Sequence, residues 1–149
     1  MTRVLVATDG SSLAVEAAGR AGRLLADFDA TVVAVVSPPI VAPGTSVAGI
    51  EGVALPATSP ETTVEIEETA AAEMEEGIDR TITALGRNAE RLIVHGDPGV
   101  ELVRLAQDGN YDLIVIGSHG SGFVKRMLLG SVSHHVMHHA PCPVLVVRD

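Results

Sequence analysis

The residues best suited to chemistry lie between Gly117 and Ser133, in the stretch GSHGSGFVKRMLLGSVS directly behind the apolar run YDLIVI. Gly117 and Gly120 follow the end of a buried strand. Nine residues further on come Gly130 and Ser131, at the start of a helix-like segment. Glycine lets backbone N–H groups come close to a ligand, and a helix N-terminus presents unpaired donors at the positive end of its dipole. Together they make a cradle for phosphate. A plainer reading is that Gly117 and Gly120 only turn the chain from strand to helix, and that Asp9 and Ser11 only cap a helix. Such turns alone do not require the Gly130-Ser131 pair.

Other groups carry weaker signals. His134, His135, His138 and His139 form an HHVMHH run with i, i+4 spacing, the spacing at which two imidazoles can share a transition metal. No Cys or acid within the run completes a ligand set, so a solvated helix face is the preferred reading. His119 sits between the motif glycines, facing either solvent or a phosphate. Lys125 and Arg126 either screen phosphate charge or are surface groups. Ser11, Ser131 and Ser133 lack evident base and acid partners for a hydrolase triad. There is no G-x-x-x-x-G-K-[ST] loop and no G-x-G-x-x-G turn after the first strand, which argues against a P-loop NTPase and a dinucleotide dehydrogenase.

The elements that must position these groups alternate. Arg3 to Ala7 and Thr31 to Val36 read as strands, and their continuous apolarity suits parallel strands covered on both faces. Leu13 to Ala26 has helical spacing after the turn Thr8–Ser12. Residues 38–60, rich in Pro, Gly, Ala, Ser and Thr, read as a long loop, either functional or a tolerated insertion. A helix then begins near Ser59-Pro60-Glu61, with Thr62 and Glu65 as a capping box. Its apolar stripe is Ile66, Ala70, Met74, Ile78 and Ile82, and it runs to about Gly86. Further on come a strand at Arg91–His95 and a helix from Pro98 capped by Asp97, which stops at Asp108-Gly109-Asn110. A strand at Asp112–Ile116 precedes a helix carrying Val132, Val136 and Ala140 that Pro141 ends. Val144–Val147 is the last strand. The pattern predicts an α/β fold: a five-stranded, mostly parallel open sheet with helices on both faces, Rossmann-like, in one domain over residues 1–149. Ligands of such sheets bind beyond the strands' carboxyl ends, where Asp9 and the Gly117 motif both fall.

Composition narrows the ligand. The chain has 149 residues, 10 basic and 19 acidic side chains and a formal net charge of -9. That balance disfavours nucleic acid and anionic membrane as partners. With 46% hydrophobic but only 2% aromatic residues, the core must come from Val, Leu, Ile and Ala. The single cysteine, Cys142 between two prolines, reads as a small hydrophobe in a reducing compartment. Val4–Ala7 is too short for a signal peptide and no run reaches transmembrane length, so a cytoplasmic location is expected.

Over essentially its whole length the chain resembles the universal stress protein family. The resemblance is carried by ATDGS after the first strand, the Gly96-Asp97-Pro98 turn, DLIVIGSHG, LLGSVS and the closing APCPVLVVR. It extends to the ATP-binding branch, whose glycine spacing falls here on Gly117, Gly120, Gly130 and Ser131; branches that do not bind ATP usually lose these small residues. The resemblance implies that Ala7 and Thr8 line base and sugar with main-chain groups, and that Asp9 accepts the ribose hydroxyls. Val36 would read the adenine edge through its main chain, Ile116 would pack on the nucleoside, and Gly117 would let the ribose come close. Gly120, Gly130, Ser131, Val132 and Ser133 would supply N–H and hydroxyl donors to the phosphates, with Mg²⁺ held by phosphate oxygens and water. A carboxylate repels phosphate, so Asp9 belongs at the sugar end and the glycines and hydroxyls at the other. The implied function is an ATP-binding stress-response regulator. The alternatives are a slow ATP hydrolase or phosphoryl- or adenylyl-transfer enzyme, and a nucleotide-independent scaffold. A homodimer through the apolar terminal strand, Val144 and Val146 included, is also implied, and an unpaired apolar edge favours it.

Overall fold

The computed structural model describes residues 1–38, 60–121 and 129–149, with the side chains of 60–67 left aside. Of the expected loop at 38–60 only the end residues are described, Lys125 and Arg126 lie outside the described residues, and of the Thr62–Glu65 capping box and Ile66 only the helical backbone is described. The elements alternate as β1 (Thr2–Thr8), α1 (Ser12–Leu24), β2 (Phe28–Val36), α2 (Pro60–Leu85), β3 (Ala89–His95), α3 (Pro98–Asp108), β4 (Leu113–Gly117), α4 (Ser131–His139) and β5 (Val144–Val147). The strands form one sheet in the order β3-β2-β1-β4-β5, and all four pairings are parallel. The expected architecture is therefore the observed one.

Chain direction across the sheet reverses once. The first three strands step one way from β1, and β4 returns to its other side. Right-handed crossovers then put α1 and α2 on one face and α3 and α4 on the other. Each face has its own core. Val4, Val6, Val32 and Ala34 point with Ala17, Ala21 and Ile78 into the first. Leu5, Val33 and Ile114 meet Leu102, Ala106 and Val136 in the second. Alternate residues of β1 feed opposite cores, as the two-residue strand period requires, and both are apolar because a central parallel strand is covered twice.

Local chemistry sets the helix ends. Ser11 caps α1 by accepting Ala14 N–H at 3.3 Å, and Asp97 caps α3 by accepting Val100 N–H at 3.0 Å, with Pro98 in the first turn. The α1–α2 contact depends on a small residue: a Cβ on Gly22 would overlap the Leu85 carbonyl. Of the stripe predicted for α2, Met74, Ile78 and Ile82 reach the core, whereas Ala70 is exposed. Length explains it. A 26-residue helix is about 39 Å long, against about 30 Å for the 9-residue β2, so α2 overhangs the sheet. β2 starts at Phe28 rather than Thr31, because Phe28 and Asp29 pair with Thr2 and Arg3 of β1.

Candidate functional site

The direction change between β1 and β4 leaves a cleft at the carboxyl ends of the strands, with a cavity of about 400 Å³. Splayed helices open such a crevice wherever strand order reverses. Strand ends and the turns beyond them line it. Ala7, Thr8 and Asp9 come from the end of β1, and Ile116 and Gly117 from the end of β4. His119, Gly120 and Ser121 follow β4, and Gly130, Ser131, Val132 and Ser133 open α4. The structure thus brings together every predicted site residue except Val36. The β2 residues in the lining are Val33, Val35 and Ser37; the carbonyl of Val36 instead accepts the Gly96 N–H at 3.0 Å. Side chains alternate along a strand, so Val35 and Val36 face opposite ways.

Asp9 is exposed, but its carboxylate is engaged. Oδ1 accepts the Ser11 N–H at 3.0 Å and Oδ2 accepts the Ser121 N–H at 2.9 Å. The second bond ties the β1 turn to the β4 turn across the mouth of the cleft. Gly120 makes it possible, since an added Cβ there would lie 2.6 Å from Asp9 Oδ2. Thr8 is buried and its hydroxyl is committed, bonding Thr81 at 2.8 Å and accepting Gly10 N–H at 3.1 Å. Main-chain groups are what Thr8 can offer a ligand.

The opposite wall is the first turn of α4. Gly130 is its N-cap and supplies no side-chain cap. Helix geometry leaves the amides of Ser131, Val132 and Ser133 without intrahelical acceptors, at the positive end of the dipole. The Ser118 carbonyl anchors this turn, accepting Gly130 N–H at 2.6 Å and the buried Ser133 hydroxyl at 2.7 Å. That refines the predicted donor set. The Gly130 amide and Ser133 hydroxyl hold the turn in place, and the amides of Ser131 to Ser133 have no partner among the described residues.

Sequence reasoning missed the apolar wall of the cleft, Pro98 and Leu102 on α3 with Val33 and Val35 on β2. Pro98 was legible as a helix start at a strand's carboxyl end, where ligand contacts concentrate. Leu102, one turn on, looks like any core leucine. The histidine run lies outside the lining. On α4 the His134 and His138 rings stand 4.5 Å apart, and the His135 and His139 rings stack at 4.2 Å. His139 Nδ1 is 2.9 Å from the His135 carbonyl, and His135 packs where a Cβ on Gly99 would be. Cys142 is half-buried against the second core, and burial, then the Asp112 charge, pushes its thiol up. Among the described residues no helix is long and apolar enough to cross a membrane.

The cleft joins an apolar slot, a carboxylate and a row of amides, a layout suited to a flat apolar ring, a polyol and an anion. Comparison with known proteins gives the family and the fold. The universal stress protein family matches residues 1–148. The chain is 33% identical to universal stress protein MJ0531 of Methanocaldococcus jannaschii over 98% of its own length and 81% of that protein. To universal stress protein YxiE of Bacillus subtilis it is 44% identical over 63 residues, spanning only 43% of that relative. Its fold superposes on the solved structure of MJ0577 with a TM-score of 0.74, at 27% identity, covering 99% of this chain and 96% of the other. A universal stress protein solved in complex with cAMP gives a TM-score of 0.62, at 26% identity, covering 98% and 95%.

Proposed function

The chain belongs to the universal stress protein family, and we propose that it binds an adenine nucleotide, ATP with Mg²⁺, as a regulatory module. One observation carries the reading: a helix N-terminus whose N-cap, Gly130, offers no side chain and an engaged carboxylate line the same cleft, which Gly120 keeps open. Amides and a positive dipole end favour phosphate at α4. Asp9, the one acidic side chain among the described residues of the lining, suits ribose hydroxyls, which would replace the Ser121 N–H at Oδ2. Ala7, Val33, Val35, Pro98, Leu102 and Ile116 form an apolar slot for the base, with edge recognition left to main chain. Ser131, Val132 and Ser133 hold the phosphates, and Mg²⁺ bound to phosphate oxygens and water offsets their charge. The cAMP complex of a relative with the same fold supports an adenylate in this family.

Calorimetric titration with ATP and Mg²⁺ tests the reading. One site is expected, weakened by Asp9→Ala and by Gly120→Val. No heat with any adenine nucleotide, in protein shown free of co-purified ligand, overturns it. The enzyme reading keeps a candidate group, because His119 is the histidine in the lining. Single-turnover assays of wild type against His119→Ala decide whether it acts; no turnover above background leaves a binding module. We further read the protein as a cytoplasmic homodimer. β5 is a sheet edge whose Val144, Leu145 and Val146 are only half-buried. Light scattering that reports a monomer at working concentration removes that assignment.

A further inference from the structure

The acidic corner of the cleft is held from outside it. Thr81 lies fully buried on α2 and takes no part in the lining. Its hydroxyl donates to the Gly77 carbonyl one turn earlier, at 2.7 Å. A threonine hydroxyl has one proton. In the 2.8 Å contact between the two threonines, Thr81 is therefore the acceptor and Thr8 the donor. Thr8 Oγ1 in turn accepts the Gly10 N–H. The polar groups form a chain of single direction, from the Gly10 amide through Thr8 and Thr81 to the Gly77 carbonyl.

Two further contacts come from the same side of α2. A Cβ on Gly77 would lie 2.9 Å from Gly10 Cα, so helix and turn touch backbone to backbone. Arg80 Nη2 donates to the Gly10 carbonyl at 3.2 Å. Gly77, Arg80 and Thr81 stand at i, i+3 and i+4, which places them on one helical face. Gly10 has φ 76°, a backbone state that its neighbours must maintain. Asp9 lies between Thr8 and Gly10, the two residues this face grips.

We propose that Thr81 is a positioning residue for Asp9: through Thr8 and Gly10 it sets where the sugar-facing carboxylate stands, and so how strongly the site discriminates ribose. The inference rests on the functional reading above. Thr81→Val keeps the side chain's shape but removes the acceptor, leaving the buried Thr8 hydroxyl to turn away and release the Gly10 amide. Thr81→Ser keeps the acceptor.

The test has two readouts. In ligand-free protein, amide hydrogen exchange at Gly10 and Ser11 is expected to be roughly fivefold faster in Thr81→Val, and unchanged in Thr81→Ser. In calorimetry, the preference for ATP over 2′,3′-dideoxy-ATP is expected to shrink roughly fivefold in Thr81→Val and to return in Thr81→Ser. Should Thr81→Val not fold, Thr8→Val breaks the same link from the other side. Thr81→Val with wild-type exchange and wild-type preference, but a lower melting temperature, makes Thr81 merely structural and overturns the proposal. If no adenine nucleotide binds wild type, the functional reading falls and the exchange comparison alone decides whether Thr81 orders the turn.

Discussion

The two walls of the cleft are built on opposite principles. At the end of β1 the polar groups of Thr8 and Asp9 have partners: Thr8 bonds Thr81 and Gly10, and Asp9 bonds Ser11 and Ser121. At the start of α4, the Gly130 amide and Ser133 hydroxyl bond the Ser118 carbonyl, while the next amides have no acceptor among the described residues. One wall is saturated and contributes negative charge. The other has surplus donors and a positive dipole end. The proposed ligand is accordingly two-sided, with hydroxyls to displace an amide at Asp9 and an anion to take the donors at α4.

Each wall can be disabled separately. Gly120→Val should have the largest effect, because its side chain drives the Asp9 carboxylate off both partners and fills the mouth of the cleft. ATP affinity should fall about a hundredfold, near 2.7 kcal/mol, when measured by calorimetry. Ser131→Glu tests the donor wall with effects of opposite sign. A carboxylate in the first turn stabilises α4 by about 0.3–1 kcal/mol in thermal unfolding, yet repels phosphate and should weaken ATP about tenfold. If both properties fall together, the wall is not an anion site. Asp9→Asn keeps the shape and removes the charge, so binding should weaken about fivefold, since hydrogen bonds to charged groups exceed neutral ones. A control lies outside both walls. The raised Cys142 thiol should alkylate more slowly than a free thiol at neutral pH, speed up as pH climbs past the ordinary thiol range, and ignore ATP.

The donor wall was the legible one. Gly117, Gly120, Gly130 and Ser131 announce themselves by spacing, and the apolar runs at β1, β2 and β4 are long enough to read as buried strands. β5 was predicted with the bounds observed, because Pro143 and Arg148 fence it. The sequence pattern places β3 at Arg91–His95, whereas it spans Ala89–His95, since its Ala-Glu-Arg opening is polar and pairing with β2 extends it. The saturated wall was half hidden. Asp9 is visible in ATDGS, whereas Thr81 sits in DRTITAL as one more residue of an amphipathic helix. Its partner is Thr8, 73 positions away. No local pattern encodes a contact made only when α2 lies across the β1 turn. Pro98 and Leu102 were missed for the same reason: they reach the cleft because α3 carries the chain from β3 back over the sheet to β4.

The most direct measurement is an amide NMR titration of the ligand-free protein with ATP and Mg²⁺. Surplus donors on one wall and an exchangeable carboxylate on the other predict simultaneous shifts at Ser131, Val132 and Ser133, and at Ser11 and Ser121. A spectrum that moves only at one wall, at sites outside the cleft, or nowhere, contradicts a nucleotide spanning the two.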